Sequence, residues 1–327
     1  MGKWGVIVLG LSGLLVACSS QNDPCQFHRE AGQCEPLRRS PVDPSGNVTT
    51  WVVDSITFPT GAAESTDYGA NIDGDDLCRV DNGLGQALAG LFGLFGPEDD
   101  VNVSTDELIK SARIVHLLQV RAASLVDAEG VGVQFYRGED ADDDPANNLD
   151  GSGVFVADVG EAGIELSGAI AGSVVRANMG TVPLTLAFSE SQAPVQVDAQ
   201  TAFIDARIET GRVFGQLQGV ITDEQWQTIL LPLATQVLAG KVADSCHGAA
   251  PNCCDPGTTG ATLVGLFDLD HDCMVSTDEL RNSNLIKALL SPDVDMFDAQ
   301  GRYNPLCDGE KDSMSFGLRF TAVPATF

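Results

Sequence analysis

The chain has 327 residues, 43% of them apolar, with 46 acidic against 18 Lys and Arg side chains and a formal net charge of −28. That apolar fraction supplies a core for one large domain or two ordinary ones and excludes a disordered tail. A field of this sign repels phosphate backbones, which excludes nucleic acid as a partner and leaves hard cations as natural counter-ions, although acidity also serves simply to keep a surface soluble.

In chain order, the segment MGKWGVIVLGLSGLLVAC places Lys3 ahead of an apolar run from Val6 to Val16, then a small residue before Cys18. This is the layout of a cleaved signal peptide over residues 1–17. The run is too short for a permanent span, which needs about 20 apolar residues. Residues 18–48 are polar, contain Pro24, Pro36, Pro41 and Pro44, and lack an apolar period, so they read as a flexible tether.

A β-rich body is expected over residues 49–245, starting with a strand at 49–58. An acidic loop with Asp73, Asp75 and Asp76 and a short apolar helix at 84–95 follow. Period-two alternation then marks strands at 114–121, 131–136, 154–158, 164–176, 182–188, 195–209 and 212–221. The acidic stretch 139–150 between two of them reads as a solvated hairpin loop. Residues 222–241 look helical, with Thr222 as N-cap and a kink at Pro232. A disulfide-rich region at 246–327 carries helices at 258–267 and 279–290 and ends in a strand at 315–323. The fold class expected is α+β, an antiparallel β-sandwich or barrel-like body beside a helix–loop–helix region.

Nine cysteines are present. Apart from Cys18, the set is Cys25, Cys34, Cys78, Cys246, Cys253, Cys254, Cys273 and Cys307, an even number that reads as disulfides in an exported chain. Cys25 and Cys34 are expected to close a small loop in the tether. The adjacent Cys253 and Cys254 are each expected to pair elsewhere, because bridging neighbours strains the backbone. Cys246, His247, Cys253, Cys254, His271 and Cys273 also offer zinc-type ligands, without a clean paired spacing.

Two short motifs carry resemblances. Leu15-Val16-Ala17-Cys18 resembles a bacterial lipobox, which implies lipid on the Cys18 thiol and, since no aspartate follows, anchorage in the outer membrane. The run from Asp268 to Glu279, DLDHDCMVSTDE, is similar to an EF-hand calcium loop. That resemblance implies Ca2+ ligands at Asp268, Asp270, Asp272, Met274 through its carbonyl, Ser276 often through water, and Glu279 in bidentate fashion. Ser276 and Glu279 also form a capping box. The departure is Cys273, where the family has a glycine in a left-handed bend; the misfit costs about 1 to 2 kcal/mol, and a disulfide from Cys273 is expected to fix the bend. The plainer reading is an acidic helix start that binds nothing.

Residues 91–108 align without gaps on 263–280, sharing G-L-F and V-S-T-D-E-L. The alignment implies a degenerate EF-hand-like segment at 85–118 within the β-rich body and offers Glu98, Asp100, Asn102, Ser104 and Glu107 as a weaker second metal set, with the first ligand lost at Gly96. Two capped helices with the same start would look alike. Asp293, Asp295, Asp298, Asp308 and Asp312 form another acidic group without full ligand spacing.

Motifs G-x-S-x-G, H-E-x-x-H and the phosphate-binding glycine loop are absent from residues 18–327. The expectation is a non-enzymatic, membrane-anchored calcium-binding lipoprotein similar to acidic bacterial lipoproteins. The rivals are a carrier of an apolar ligand in a β-barrel, for which a large apolar cavity would speak, and a calcium-dependent hydrolase, which needs a cleft beside the metal.

Overall fold

Alternating burial builds the strands: within residues 128–140, Val131, Val133 and Phe135 are buried while Gln134 and Tyr136 are partly exposed. The computed structural model describes residues 39–327 except 76, 93–100, 188, 190, 191 and 251, together with residues 29, 32, 34 and 35. The signal peptide, Cys18 and Cys25 therefore lie outside the described residues.

The strands are β1 (Asn47–Thr57), β2 (His116–Ala122), β3 (Ala128–Asp140), β4 (Phe155–Ala157), β5 (Leu166–Ala171), β6 (Val174–Leu186), β7 (Val195–Glu209), β8 (Arg212–Thr222) and β9 (Ser313–Pro324). All pair antiparallel in the order β2-β1-β9-β8-β7-β6-β5-β3-β4, and β2 also pairs with β3. That last pairing closes eight strands into a ring, with β4 attached beyond β5 on the far end of β3. Of the two all-antiparallel architectures expected, the body is the barrel-like one. The strand nearest the C-terminus, β9, lies between β1 and β8, so the region from residue 246 onward contributes a wall of the barrel.

One strand expected at 164–176 is instead the hairpin β5–β6. Its two-residue turn, Gly172-Ser173, has φ of 56° and 63°. Two left-handed residues in succession match the twist of the flanking strands. Serine is an unusual occupant of such a position, so the turn carries a weak sequence signal. Beyond it, β6 runs unbroken through most of the segment expected as a separate strand at 182–188.

Inside the ring, Trp51, Leu118, Val133, Leu166, Leu217 and Phe320 belong to one buried cluster, with Phe135 edge-on to Phe320 at 6.0 Å. Eight strands give an interior that side chains can fill. At one end of β2 and β3 this lining turns polar: His116 accepts a hydrogen bond from the Thr185 N–H at Nε2 (2.8 Å), and Arg137 pairs with Glu161 and Asp198, each at 3.0 Å.

Helices extend the same core. They are α1 (Ala62–Tyr68), α2 (Gly83–Phe92), α3 (Val101–Lys110), α4 (Asp223–Gln225), α5 (Leu231–Ser245), α6 (Thr259–Phe267), α7 (Thr277–Asn282) and α8 (Asn284–Leu289). The first of these was not expected from the sequence. Leu84 and Leu88 of α2, Leu108 and Ile109 of α3, and Leu231 and Leu238 of α5 join the barrel cluster. A small apolar pocket of about 20 Å³ between α2 and the strands has room for no more than one water. Thr222 caps α4, its hydroxyl accepting the Gln225 N–H at 3.3 Å. The disturbance expected at Pro232 is a π-helical turn, Trp226–Leu230, immediately before α5. Proline cannot donate to the preceding turn, and a widened turn accommodates the missing bond. No helix among the described residues is long and apolar enough to cross a membrane.

Part of the segment read as a tether is bound to the body. The Arg29 N–H donates to the Gly74 carbonyl (2.7 Å), the Gly32 N–H to the Leu306 carbonyl (2.8 Å) and the Asp43 N–H to the Gly130 carbonyl (2.7 Å). Those bonds lay Cys34 beside Cys307, and the two form a disulfide with Cα atoms 4.9 Å apart. The local Cys25–Cys34 loop expected from proximity in sequence is thereby corrected: the Gly32–Leu306 backbone bond brings Cys34 to Cys307.

Candidate metal centre

The candidate loop hangs between two helices rooted in the common core. Thr258 caps α6 by accepting the Ala261 N–H at 3.2 Å, and Leu263 and Phe267, both fully buried, anchor the helix. Helix α6 stops at Asp268, whose N–H still reaches the Val264 carbonyl. After the loop, Ser276 caps α7 in the expected capping box with Glu279. Val275 and Leu280, both buried, pin the exit to the same cluster.

Carboxylates organise the backbone between these anchors. Asp268 accepts the Asp272 N–H (3.1 Å) at Oδ1 and the Cys273 N–H (2.8 Å) at Oδ2. Asp270 accepts the Asp272 N–H (3.2 Å), and Asp272 accepts the Met274 N–H (2.8 Å). Glu279 closes the circuit: Oε1 accepts the N–H groups of Leu269 (2.7 Å) and Asp270 (3.4 Å), and Oε2 accepts the N–H (2.8 Å) and hydroxyl (2.9 Å) of Ser276. Partial burial opposes ionisation of Glu279, but these donors outweigh it and hold the carboxyl below its ordinary range.

Among the six residues expected, Asp268, Asp270 and Glu279 bring carboxylate oxygens within 4.8 Å of one another. Asp268 is buried, Glu279 is intermediate and Asp270 is exposed, so the cluster opens to solvent on one side. Asp272 lies outside this trio. Met274 has a largely exposed side chain, which leaves its carbonyl as the available donor, and the Ser276 hydroxyl is held in the capping box. An all-oxygen donor set of this kind suits a hard divalent cation.

Cys273 occupies the left-handed bend, with φ of 72°. It is bonded to Cys253, while Cys254 is bonded to Cys246 at the C-terminus of α5. The sulfurs of Cys253 and Cys254 lie 3.6 Å apart, so two neighbouring cross-links tie the loop to α5. Gly260 faces this knot, and an added Cβ there would come 2.8 Å from the Cys246 sulfur. Cys246, Cys253 and Cys254 converge as three sulfurs, but disulfide sulfurs are not thiolate ligands, which removes the zinc reading for this state of the protein.

Several expected features are placed differently. The exit helix expected at 279–290 is two short helices, broken at Ser283, which adopts extended backbone with ψ of 130°. The polar run Asn282-Ser283-Asn284 offers the chain alternatives to helical bonding. In the sequence repeat, Asn102, Ser104 and Glu107 lie inside helix α3 rather than in a loop, and Glu98 and Asp100 lie outside the described residues. Val101 is buried in that helix, Asn102 is spent on both backbone groups of Phe58, and Glu107 pairs with Lys110 at 2.9 Å.

Asp76 lies outside the described residues, and the acidic groups near the C-terminus fasten loops. Asp293 accepts the N–H of Gly83 and of Ser315, Asp312 accepts the N–H of Phe297 at 2.8 Å, and Asp298 pairs with Arg302 at 2.7 Å. Together with Ile72, Val294 and Met296 they dress the outer face of β7 and β8. Asp81, which sequence reasoning did not single out, is pushed up to about 8 by burial and by the charge of Asp73. Compared with protein-family models, with curated proteins and with solved structures, the chain gives no match.

Proposed function

We propose that the chain is a membrane-anchored lipoprotein without enzymatic activity, in which an EF-hand-like segment, α6–loop–α7, holds one calcium ion as a structural brace. The observation that carries this reading is the convergence of Asp268, Asp270 and Glu279 oxygens within 4.8 Å on a loop whose bend is clamped by the Cys253–Cys273 disulfide. Calcium takes six to eight oxygen ligands, and the Met274 carbonyl, Ser276, Asp272 and water supply the rest. Extracellular modules of this kind bind at about 10⁻⁴ to 10⁻³ M, which makes the ion a permanent structural part outside the cell rather than a signal. The cross-linked cysteines accord with an oxidising compartment, and the lipobox-like Leu15–Cys18 supplies the anchor, placing the body at the outer membrane.

Thermal or urea unfolding in calcium against chelator tests the brace. For a dissociation constant of about 1 mM, calcium at about 10 mM adds roughly 1.4 kcal/mol of stability. Glu279→Gln should remove that increment, and an increment untouched by the substitution overturns the assignment.

A further inference from the structure

Four cysteines meet where α5, α6 and the α6–α7 loop join, as two disulfides side by side. The segment after α5 doubles back on itself: Cys246 pairs antiparallel with Cys254, and the Gly248 N–H donates to the Cys253 carbonyl at 2.8 Å. This reversal sets two consecutive cysteines beside a third. The sulfurs of Cys246, Cys253 and Cys254 therefore lie within 4.8 Å of one another, although they belong to two different cross-links. The Cys253 and Cys254 sulfurs, which are not bonded to each other, are in contact at 3.6 Å. Gly260 in the first turn of α6 closes the pocket around the Cys246 sulfur, so that atom is held in place from both helices.

Access separates the two links. Cys246 and Cys254 are both partly exposed, whereas Cys253 is 5% exposed. Thiol–disulfide exchange proceeds by attack of a thiolate on a sulfur it can reach, so a dithiol in solution opens Cys246–Cys254 first. The two thiols that result face the buried Cys253. Attack by Cys254 would bridge neighbours, a strained closure. Attack by Cys246 bridges residues that the reversal already holds together. It also frees Cys273 from a left-handed bend, at φ of 72°, that only glycine adopts without cost.

We propose that Cys246, Cys253 and Cys254 form a thiol–disulfide exchange site for a dithiol reductant, passing reduction from the accessible Cys246–Cys254 link to Cys273. In the first step the dithiol gives up two electrons and two protons, becomes a disulfide and leaves Cys246 and Cys254 as thiols. In the second, Cys246 loses its proton to water and its thiolate attacks the Cys253 sulfur. The Cys246–Cys253 bond forms, the Cys253–Cys273 bond breaks, and Cys273 leaves as a thiolate that takes up a proton. The product keeps one disulfide of the two, and the α6–α7 loop is released from its tie to the end of α5. The exchange does not depend on whether that loop holds an ion.

Timed reduction of the full chain with dithiothreitol, stopped with N-ethylmaleimide, tests the route. Free thiols take this first label, and the remaining cysteines take a second label after denaturation and complete reduction; tandem mass spectrometry reads each position. Chains that have lost one of these two disulfides should carry the first label at Cys254 and Cys273 and the second at Cys246 and Cys253. A first label that stays on Cys246 and Cys254, or that appears on Cys253 and Cys273, overturns the exchange. A first label on Cys246 and Cys273 overturns Cys246 as the attacking group. In Cys246→Ser/Cys254→Ser, with folding checked by circular dichroism, the dithiol must reach the second link directly, so labelling of Cys273 should be at least about tenfold slower than in wild type. An equal rate overturns the relay, and the wild-type label map decides the route without any variant.

Discussion

At the scale of single residues, His116 shows how burial sets a charge state. It is 2% exposed, and desolvation, with the Arg137 charge beside it, pushes its imidazole down to about 4 from an ordinary value near 6.5. The unfolded chain therefore binds a proton below about 6.5 that the folded chain refuses until about 4. This contribution to stability is full above the unfolded value and is lost as pH falls through that window, up to about 3 kcal/mol. Asp81, pushed up to about 8, acts in the opposite sense as pH rises, so wild type must be compared with His116→Gln in urea titrations between pH 4 and 7. The stability difference between wild type and variant should shrink as pH falls from 7 to 4, and a difference constant across that range contradicts the account. Sequence alone marks His116 only as a lone histidine, because the Thr185 N–H that fixes it comes from a strand 69 residues away.

At the scale of elements, local chemistry was the readable part. The N-cap at Thr222 and the capping box of Ser276 with Glu279 depend on residues three apart and stand where spacing puts them. Helix α6 and strands β7 and β8 likewise stand within a residue of where the sequence places them. The repeat at 91–108 misleads because similar residues take their conformation from different surroundings: Val101 is buried and Asn102 is bonded to Phe58, and both lie in helix. Cys273 is the converse case, a residue that breaks a local rule and is held by a distant partner, Cys253. Replacing both by serine opens a cross-link between residues 20 apart and should cost about 3 kcal/mol by the chain-entropy estimate. Calcium affinity should fall in the same variant. Pairing Cys253→Ser with Cys273→Gly should regain about 1 kcal/mol, since glycine accepts the left-handed bend. Equal urea midpoints for the two double variants would contradict the strain argument.

At the scale of the molecule, the closed ring makes the core one object. Leu166 of β5 and Leu280 of α7 are both fully buried in the same cluster, so the helices beside the metal loop rest on the barrel. Leu166→Ala should therefore lower stability by roughly 2 to 5 kcal/mol, read as a shift of the urea midpoint. A loss well under that range would mean a loosely packed interior. Closure itself was not legible, since alternation identifies strands but not whether β2 finds β3, and the Cys34–Cys307 link spans 273 positions. The turn at Gly172-Ser173 was hidden by an atypical serine. The acidic loops were legible as acidic; what separates fastening carboxylates from ligands is the set of donors around each oxygen, which only the folded chain supplies.

The central claim is that the α6–α7 loop binds calcium through Glu279. Calorimetric titration of calcium into the chain from Ser19 onward and into its Glu279→Gln variant tests it most directly. The account predicts that wild type contains a saturable site, with a dissociation constant of about 10⁻⁴ to 10⁻³ M, that the variant lacks. Identical isotherms for the two proteins, or no heat from either at millimolar calcium, would contradict it.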